Sequence, residues 1–163
     1  MDGAGPDRSA GGKSVGLRMH ADHDRLDALW DRATELRSVE PQASDHLLRA
    51  FAAGLERHIV LEEEILFPFF EERSEASGKR LADALREEHR AIRAALAALL
   101  ARVTAHAVDL EPAQTELRNA LWAHNALEEG RLYPWFDLRA DRGQDAELAG
   151  QVRDRLHASD AQA

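Results

Sequence analysis

The chain has 163 residues and no cysteine, with 30 acidic residues against 21 basic ones and a net charge of −9. That length suits one domain with a real core, and the absence of thiols excludes disulfide scaffolds, thiolate zinc sites, Cys-ligated iron–sulfur clusters and thiol catalysis. Acidic and basic residues are interspersed without a basic footprint, which speaks against nucleic acid as a partner.

Alanine, leucine, arginine and glutamate dominate without strand-like alternation, so the expected fold class is all-α. Residues 1–16, rich in Gly and Ser, read as a flexible segment without the apolar run of a secretory signal. No stretch approaches membrane-spanning length, so the expectation is a cytoplasmic protein with no membrane partner. A first helix is predicted from Val15 to Ser38, with Leu26, Leu29, Trp30 and Ala33 on its apolar side. Pro41 and Ser44 punctuate the next turn, Ser44 as the N-cap of a second helix over 44–72 whose last turns Pro68 bends or loosens. Ser77 and Gly78 break the chain before a third helix over 78–106. Asp109 to Pro112 form another turn, with Pro112 in the first turn of a fourth helix reaching about residue 138. Beyond Gly143, Leu148, Val152 and Leu156 mark one side of a short C-terminal helix in a tail over 139–163. Four long helices with short connections over 17–138 predict an antiparallel up-down four-helix bundle.

The second and fourth helices carry the same text. "LERHIVLEEEILFPFFE" and "LWAHNALEEGRLYPWFD" match at a constant offset of 66 residues, pairing His58 with His124, Glu62 with Glu128, Glu63 with Glu129 and Pro68 with Pro134. The same offset carries His23 of the first helix onto His89 of the third. The chain is therefore two copies of one hairpin, each of the form His-x34-His-x3-Glu. Within a copy, the histidine and glutamate four apart share one helix face, and that face is otherwise apolar.

A single histidine on such a face is ordinarily a hydrogen-bonded packing residue. Two glutamates are harder to dismiss, because a buried unpaired carboxylate is costly and no Lys or Arg shares those faces. A pair of divalent cations held by His23, His58, Glu62, His89, His124 and Glu128 supplies the missing charge. Imidazole with carboxylate suits iron, manganese, zinc or nickel better than calcium or magnesium. If Glu62 and Glu128 each bridge, every metal receives two imidazoles and two carboxylate oxygens. With a bridging oxide or hydroxide, octahedral geometry then leaves each metal one open position for dioxygen, nitric oxide or peroxide. Glu63 and Glu129 point about 100° away and read as partners of the ligands or as solvated charges. His46, His106 and His157 lack repeat partners and are expected to face solvent. His20 falls outside the symmetric set, its counterpart being Arg86, and is at most an additional ligand. Trp30, Trp122, Trp135 and Tyr133 could tune or line the site, although aromatics at helical spacing are more often ordinary core.

With His23, His58-x3-Glu62, His89 and His124-x3-Glu128, and with H-x3-E-E-x2-L-[FY]-P repeated twice, the chain resembles the hemerythrin-like, HHE cation-binding family over about residues 20–137. The resemblance implies a four-helix bundle around two iron ions bridged by two carboxylates and an oxo or hydroxo group, with zinc or manganese as alternatives. Oxygen-carrying members have a further histidine one turn from the third-helix ligand. Here Leu85 and Arg93 stand at that spacing, so the pattern is closer to bacterial relatives with four histidines and two glutamates. Some of these are linked to repair of oxidatively or nitrosatively damaged iron centres. The expected function is binding of, or reaction with, a small oxidant, possible in a stress response. The alternatives are a metal-dependent sensor, an iron-donating module for a protein partner, or a bundle with a structural zinc.

Overall fold

The computed structural model describes residues 14–140 and 145–160, so most of the segment expected to be flexible, 1–16, lies outside the described residues. Among those described the chain is helical throughout apart from its turns. Helix α1 is Val15–Leu36 and α3 is Ala76–Thr104. Helix α2 (41–73) runs as α-helix over Pro41–Leu61, widens into a π turn at Glu62–Leu66, and returns to α over Phe67–Arg73. Helix α4 (111–140) does the same, as Glu111–Leu127, Glu128–Leu132 and Tyr133–Ala140; α5 is Ala146–Asp160.

The sequence accounts for most of these boundaries. Ser14 caps α1 by accepting the Leu17 N–H at 3.2 Å. Pro41 opens α2 from its first turn, where a missing N–H costs nothing. The helix therefore begins three residues earlier than expected, and Ser44 is not its N-cap. Ser44 is buried within α2 and donates to the Ala33 carbonyl at 2.7 Å, tying α2 to α1. Helix α3 likewise starts at Ala76, placing Ser77 and Gly78 in its first turn.

The two π turns have a common cause. A proline cannot donate to the carbonyl four residues back, and its ring crowds that carbonyl. Pro68 and Pro134 stand two residues beyond the last residues of the π turns, Leu66 and Leu132. The chain widens just before each, Phe67 N–H reaching back to the Glu62 carbonyl and Tyr133 N–H to that of Glu128. The loosening expected at Pro68 thus takes a defined form, in both copies and at the same offset.

Helices α1 to α4 pack in a closed ring, α1 on α2, α2 on α3, α3 on α4, and the end of α4 on α1. Gly54 allows α1 and α2 to approach: a Cβ there would fall 2.8 Å from Leu26 Cδ2. The interior is split lengthwise. One apolar cluster joins Leu26, Trp30, Phe51, Leu55, Ile92, Leu99 and Leu117. The other joins Met19, Leu66, Phe67, Phe70, Leu85, Tyr133 and Phe136, and α5 closes over it through Leu148 and Val152. Between them lies a buried polar layer of Asp22, His23, His58, Glu62, His89, His124 and Glu128. No helix among the described residues is long and apolar enough to cross a membrane.

Candidate metal centre

All six residues singled out from the repeat are buried and lie together in this layer. Their inward atoms form two groups. In one, His89 Nε2 and His124 Nε2 are 3.1 Å apart, His89 Nε2 is 3.3 Å from Glu62 Oε2, and His124 Nε2 is 3.1 Å from Glu128 Oε1. In the other, His23 Nε2 and His58 Nε2 are 3.1 Å apart, His58 Nε2 is 3.4 Å from Glu62 Oε1, and His23 Nε2 is 3.6 Å from Glu128 Oε2. Each glutamate gives one oxygen to each group. The offset of 66 residues exchanges the two groups, so the sequence repeat is a pseudo-two-fold axis through the centre.

The outward nitrogens explain why the inward ones are available. His58 Nδ1 meets Asp22 at 2.8 Å, and its counterpart His124 Nδ1 meets Glu88 at 3.0 Å. His89 Nδ1 meets Glu63 at 3.0 Å, and its counterpart His23 Nδ1 meets Glu129 at 3.1 Å. A carboxylate accepts, so each neutral ring donates its Nδ1–H outward and turns a bare Nε2 lone pair inward. Four lone pairs and four carboxylate oxygens then converge without a cation among them. Glu62 Oε2 and Glu128 Oε1, both fully buried, have no hydrogen-bond partner although imidazole nitrogens lie close by.

Such a layer of acceptors is unstable without positive charge, and in its absence protons serve. Burial works against the ionised form of Glu62, yet the adjoining His58 and His89 hold it well below the usual carboxylate range. Burial and the nearby Glu62 push Glu128 up. Burial and the neighbouring His58 depress His23 to about 4. Against its own burial, His124 is lifted to about 9 by the Glu128 carboxylate. A bound cation suits the donor spacing better. Two ligands at right angles, each about 2.1 Å from a common ion, lie about 3.0 Å apart, close to the separations above. The residues present therefore fit a pair of metal ions. Glu62, His89, His124 and Glu128, and separately His23, His58 and Glu128, each place ligand atoms within 4.8 Å of one another.

One member of this layer had core packing as its favoured reading from the sequence. Tyr133 is fully buried, and its hydroxyl lies 2.8 Å from Glu62 Oε1, 2.9 Å from Glu128 Oε2 and 3.3 Å from His23 Nε2. It is not an ordinary core aromatic. Burial and the two carboxylates raise its pKa well above the normal phenol value, so it stays a donor. In an α-helix Tyr133 would point about 140° away from Glu128; the π turn brings residues five apart onto one face. Its repeat counterpart is Phe67, which stacks on His89 with ring centroids 5.4 Å apart. Asp22 and Glu88 were missed, although a carboxylate precedes the first histidine in both copies.

The remaining assignments fall as follows. Glu63 and Glu129 are partners of imidazoles rather than free charges, each serving the histidine of the other copy. His20 stands at the rim, 43 % exposed and 3.6 Å from Glu129, outside both groups of inward atoms. His46, His106 and His157 are exposed, as expected. Trp30 packs in the core on Phe51, while Trp122 is 76 % exposed, contrary to its reading as core. Leu85 is fully buried beside the third-helix histidine, and Arg93 is occupied by Glu56 and Glu63.

Residues 10–136 match the family model of the hemerythrin HHE cation binding domain. Neither the curated proteins nor the solved structures contain a significant match.

Proposed function

Since the chain belongs to the hemerythrin HHE cation-binding family, we propose that its buried layer holds two metal ions, iron foremost, and that the protein binds or reacts with a small oxidant: dioxygen, nitric oxide or peroxide. His89 and His124 would serve one ion and His23 and His58 the other, with Glu62 and Glu128 shared by both. The observation that carries this reading is the convergence of four Nε2 atoms and four carboxylate oxygens, two of them without a partner, in a layer closed above and below by apolar side chains. Sharing of both glutamates supports a dinuclear site over a single structural zinc. When bound, such a pair supplies Lewis acidity, and in the case of iron redox capacity, next to an open position.

The protein's own groups do the rest. Asp22, Glu63, Glu88 and Glu129 fix the imidazole tautomers and raise the basicity of the inward nitrogens. The two apolar clusters exclude bulk water and keep the local dielectric low. Tyr133 holds a proton at its hydroxyl between Glu62 and Glu128, a neutral donor aimed into a layer of acceptors.

The direct test is the visible absorption spectrum of the iron-loaded protein before and after addition of air, peroxide or nitric oxide. A reproducible change with at least one of them is expected. An iron-loaded protein inert to all three overturns the oxidant reading and favours an iron-donating or structural role.

A further inference from the structure

The pseudo-two-fold axis that relates the ligands does not relate the surfaces above them, and the difference marks a way in. On the α2–α3 side, Arg93 clamps two carboxylates at once. It reaches Glu56 with Nε at 3.0 Å and Nη2 at 2.8 Å, and Glu63 with Nη1 at 2.9 Å. Glu63 in turn holds His89. This side of the layer is sealed by three charged side chains locked to one another.

On the α1–α4 side the counterparts at the same offset are Asp27 for Arg93, Trp122 for Glu56 and Glu129 for Glu63. Only the last has kept its chemistry. Asp27 cannot bridge to Glu129, and it is crowded by like charge: partial burial, Asp31, Asp24 and Glu129 all raise its pKa. Trp122 stands out into solvent. Where the clamp would sit there is an open groove of about 430 Å³ lined by Asp27, Trp30, Asp31, Trp122, Asn125 and Glu129, among others. Beneath it lies a space of about 20 Å³ reaching His23, His58 and His124, lined also by Asp27 and Asn125 and, for the rest, by apolar side chains such as Leu26, Leu55 and Ile92. Asp27, Phe51, Leu121 and Asn125 line both spaces. The inner one has room for a single molecule about the size of water.

Resting on the oxidant reading above, we infer that the small ligand reaches the centre through this α1–α4 mouth, between Asp27 and Asn125, and that the mouth admits an uncharged molecule of diatomic or peroxide size in preference to an anion. Size follows from the inner space and its apolar walls. The charge preference follows from Asp27, Asp31 and Glu129 around the opening, three carboxylates against the one lining cation, Arg118; their net negative field repels anions over roughly a Debye length, about 8–10 Å in physiological salt. A second groove of about 400 Å³ between α1, α2 and α5 also touches His58. It ends on Asp22, which covers the outer Nδ1 edge of that ring, so it does not lead to the inward nitrogens.

The repeat itself supplies the test. Asp27→Arg combined with Trp122→Glu transplants the clamp, giving Glu129 the neighbours that Glu63 has. Both positions are exposed and neither is a candidate ligand, so fold and metal content should be unchanged, as checked by circular dichroism and metal analysis. In iron-loaded protein, stopped-flow association of nitric oxide should slow at least fivefold in the double variant, with the final spectrum as in wild type. Azide should bind wild type faster as salt rises, since screening relieves the repulsion, and nitric oxide should show no such dependence. Unchanged nitric oxide kinetics in a folded, loaded double variant would overturn the α1–α4 route while leaving the oxidant reading standing. A wild-type protein whose spectrum responds to no ligand would overturn both.

Discussion

The two halves of the candidate centre share their histidine and glutamate pattern and differ in the aromatic ring beneath it. Next to His89, Phe67 offers only its face. At the equivalent place next to His23, Tyr133 brings a hydroxyl within 2.9 Å of both carboxylates. Consequently Glu62 Oε1 and Glu128 Oε2 are satisfied by a donor, while Glu62 Oε2 and Glu128 Oε1, on the other side, are not. A duplicated hairpin thus carries a symmetric set of candidate ligands on an asymmetric support. The two metal positions are expected to be unequal: the His89–His124 position has the unpartnered oxygens and the greater need for a cation.

The largest effect expected from any single substitution is at the shared residues. Glu62→Ala or Glu128→Ala removes an oxygen from both positions, and metal content should fall from two ions per chain toward none. His124→Ala strikes one position only and should leave about one ion. If removing either glutamate cost a single ion, the sharing would be wrong. Next come the outer carboxylates. Asp22→Asn or Glu88→Gln should weaken metal affinity by roughly 10–100-fold, measured by chelator competition, without changing the number of sites. Inequality between the two positions predicts a larger effect from Asp22→Asn, because the Asp22–His58 pair belongs to the position with fewer unsatisfied oxygens.

A pH titration of the metal-free protein reaches the same comparison from another direction. His124 is raised to about 9 in the folded chain, so its contribution is complete below its unfolded value of about 6.5 and is lost as pH rises through the folded value. Chemical denaturation of the metal-free protein between pH 6.5 and 9 should therefore show falling stability, by on the order of 3 kcal/mol at most. The metal-loaded protein should lack that fall, since the cation takes over the role of the proton. Tyr133→Phe, which makes the two halves alike, should cost the metal-free protein about 1–3 kcal/mol by leaving two more buried oxygens without a donor. His46→Ala, on an exposed surface, should change neither metal content nor melting temperature.

Much of the fold and the convergence of the six candidate residues was legible because both rest on α-helical periodicity and on a repeat with a constant offset. His23, His58, His89, His124, Glu62 and Glu128 could be named from spacing, and the bundle followed from four periodic segments. Tyr133 could be named as a residue able to line the site but not placed there, for a physical reason: its position in the layer depends on a π turn, and an α-helical wheel puts it elsewhere. Pro134 is the sequence trace of that turn, but a proline near a helix end is compatible with a kink, a stop or a bulge. Asp22 and Glu88, one residue before His23 and His89, were readable from the same repeat offset. The α1–α4 mouth could not be read without coordinates, since what distinguishes it is whether Arg93 and Asp27 find carboxylates across a helix interface. The start of α2 shows the converse, Pro41 being a stronger local signal than the Ser44 that follows it.

Four imidazoles and two shared carboxylates are proposed to form one dinuclear pocket. Its most direct measurement is the number of metal ions bound per chain, by elemental analysis after anaerobic iron loading and removal of excess. Two ions per chain are predicted; a single ion, or none, would contradict it.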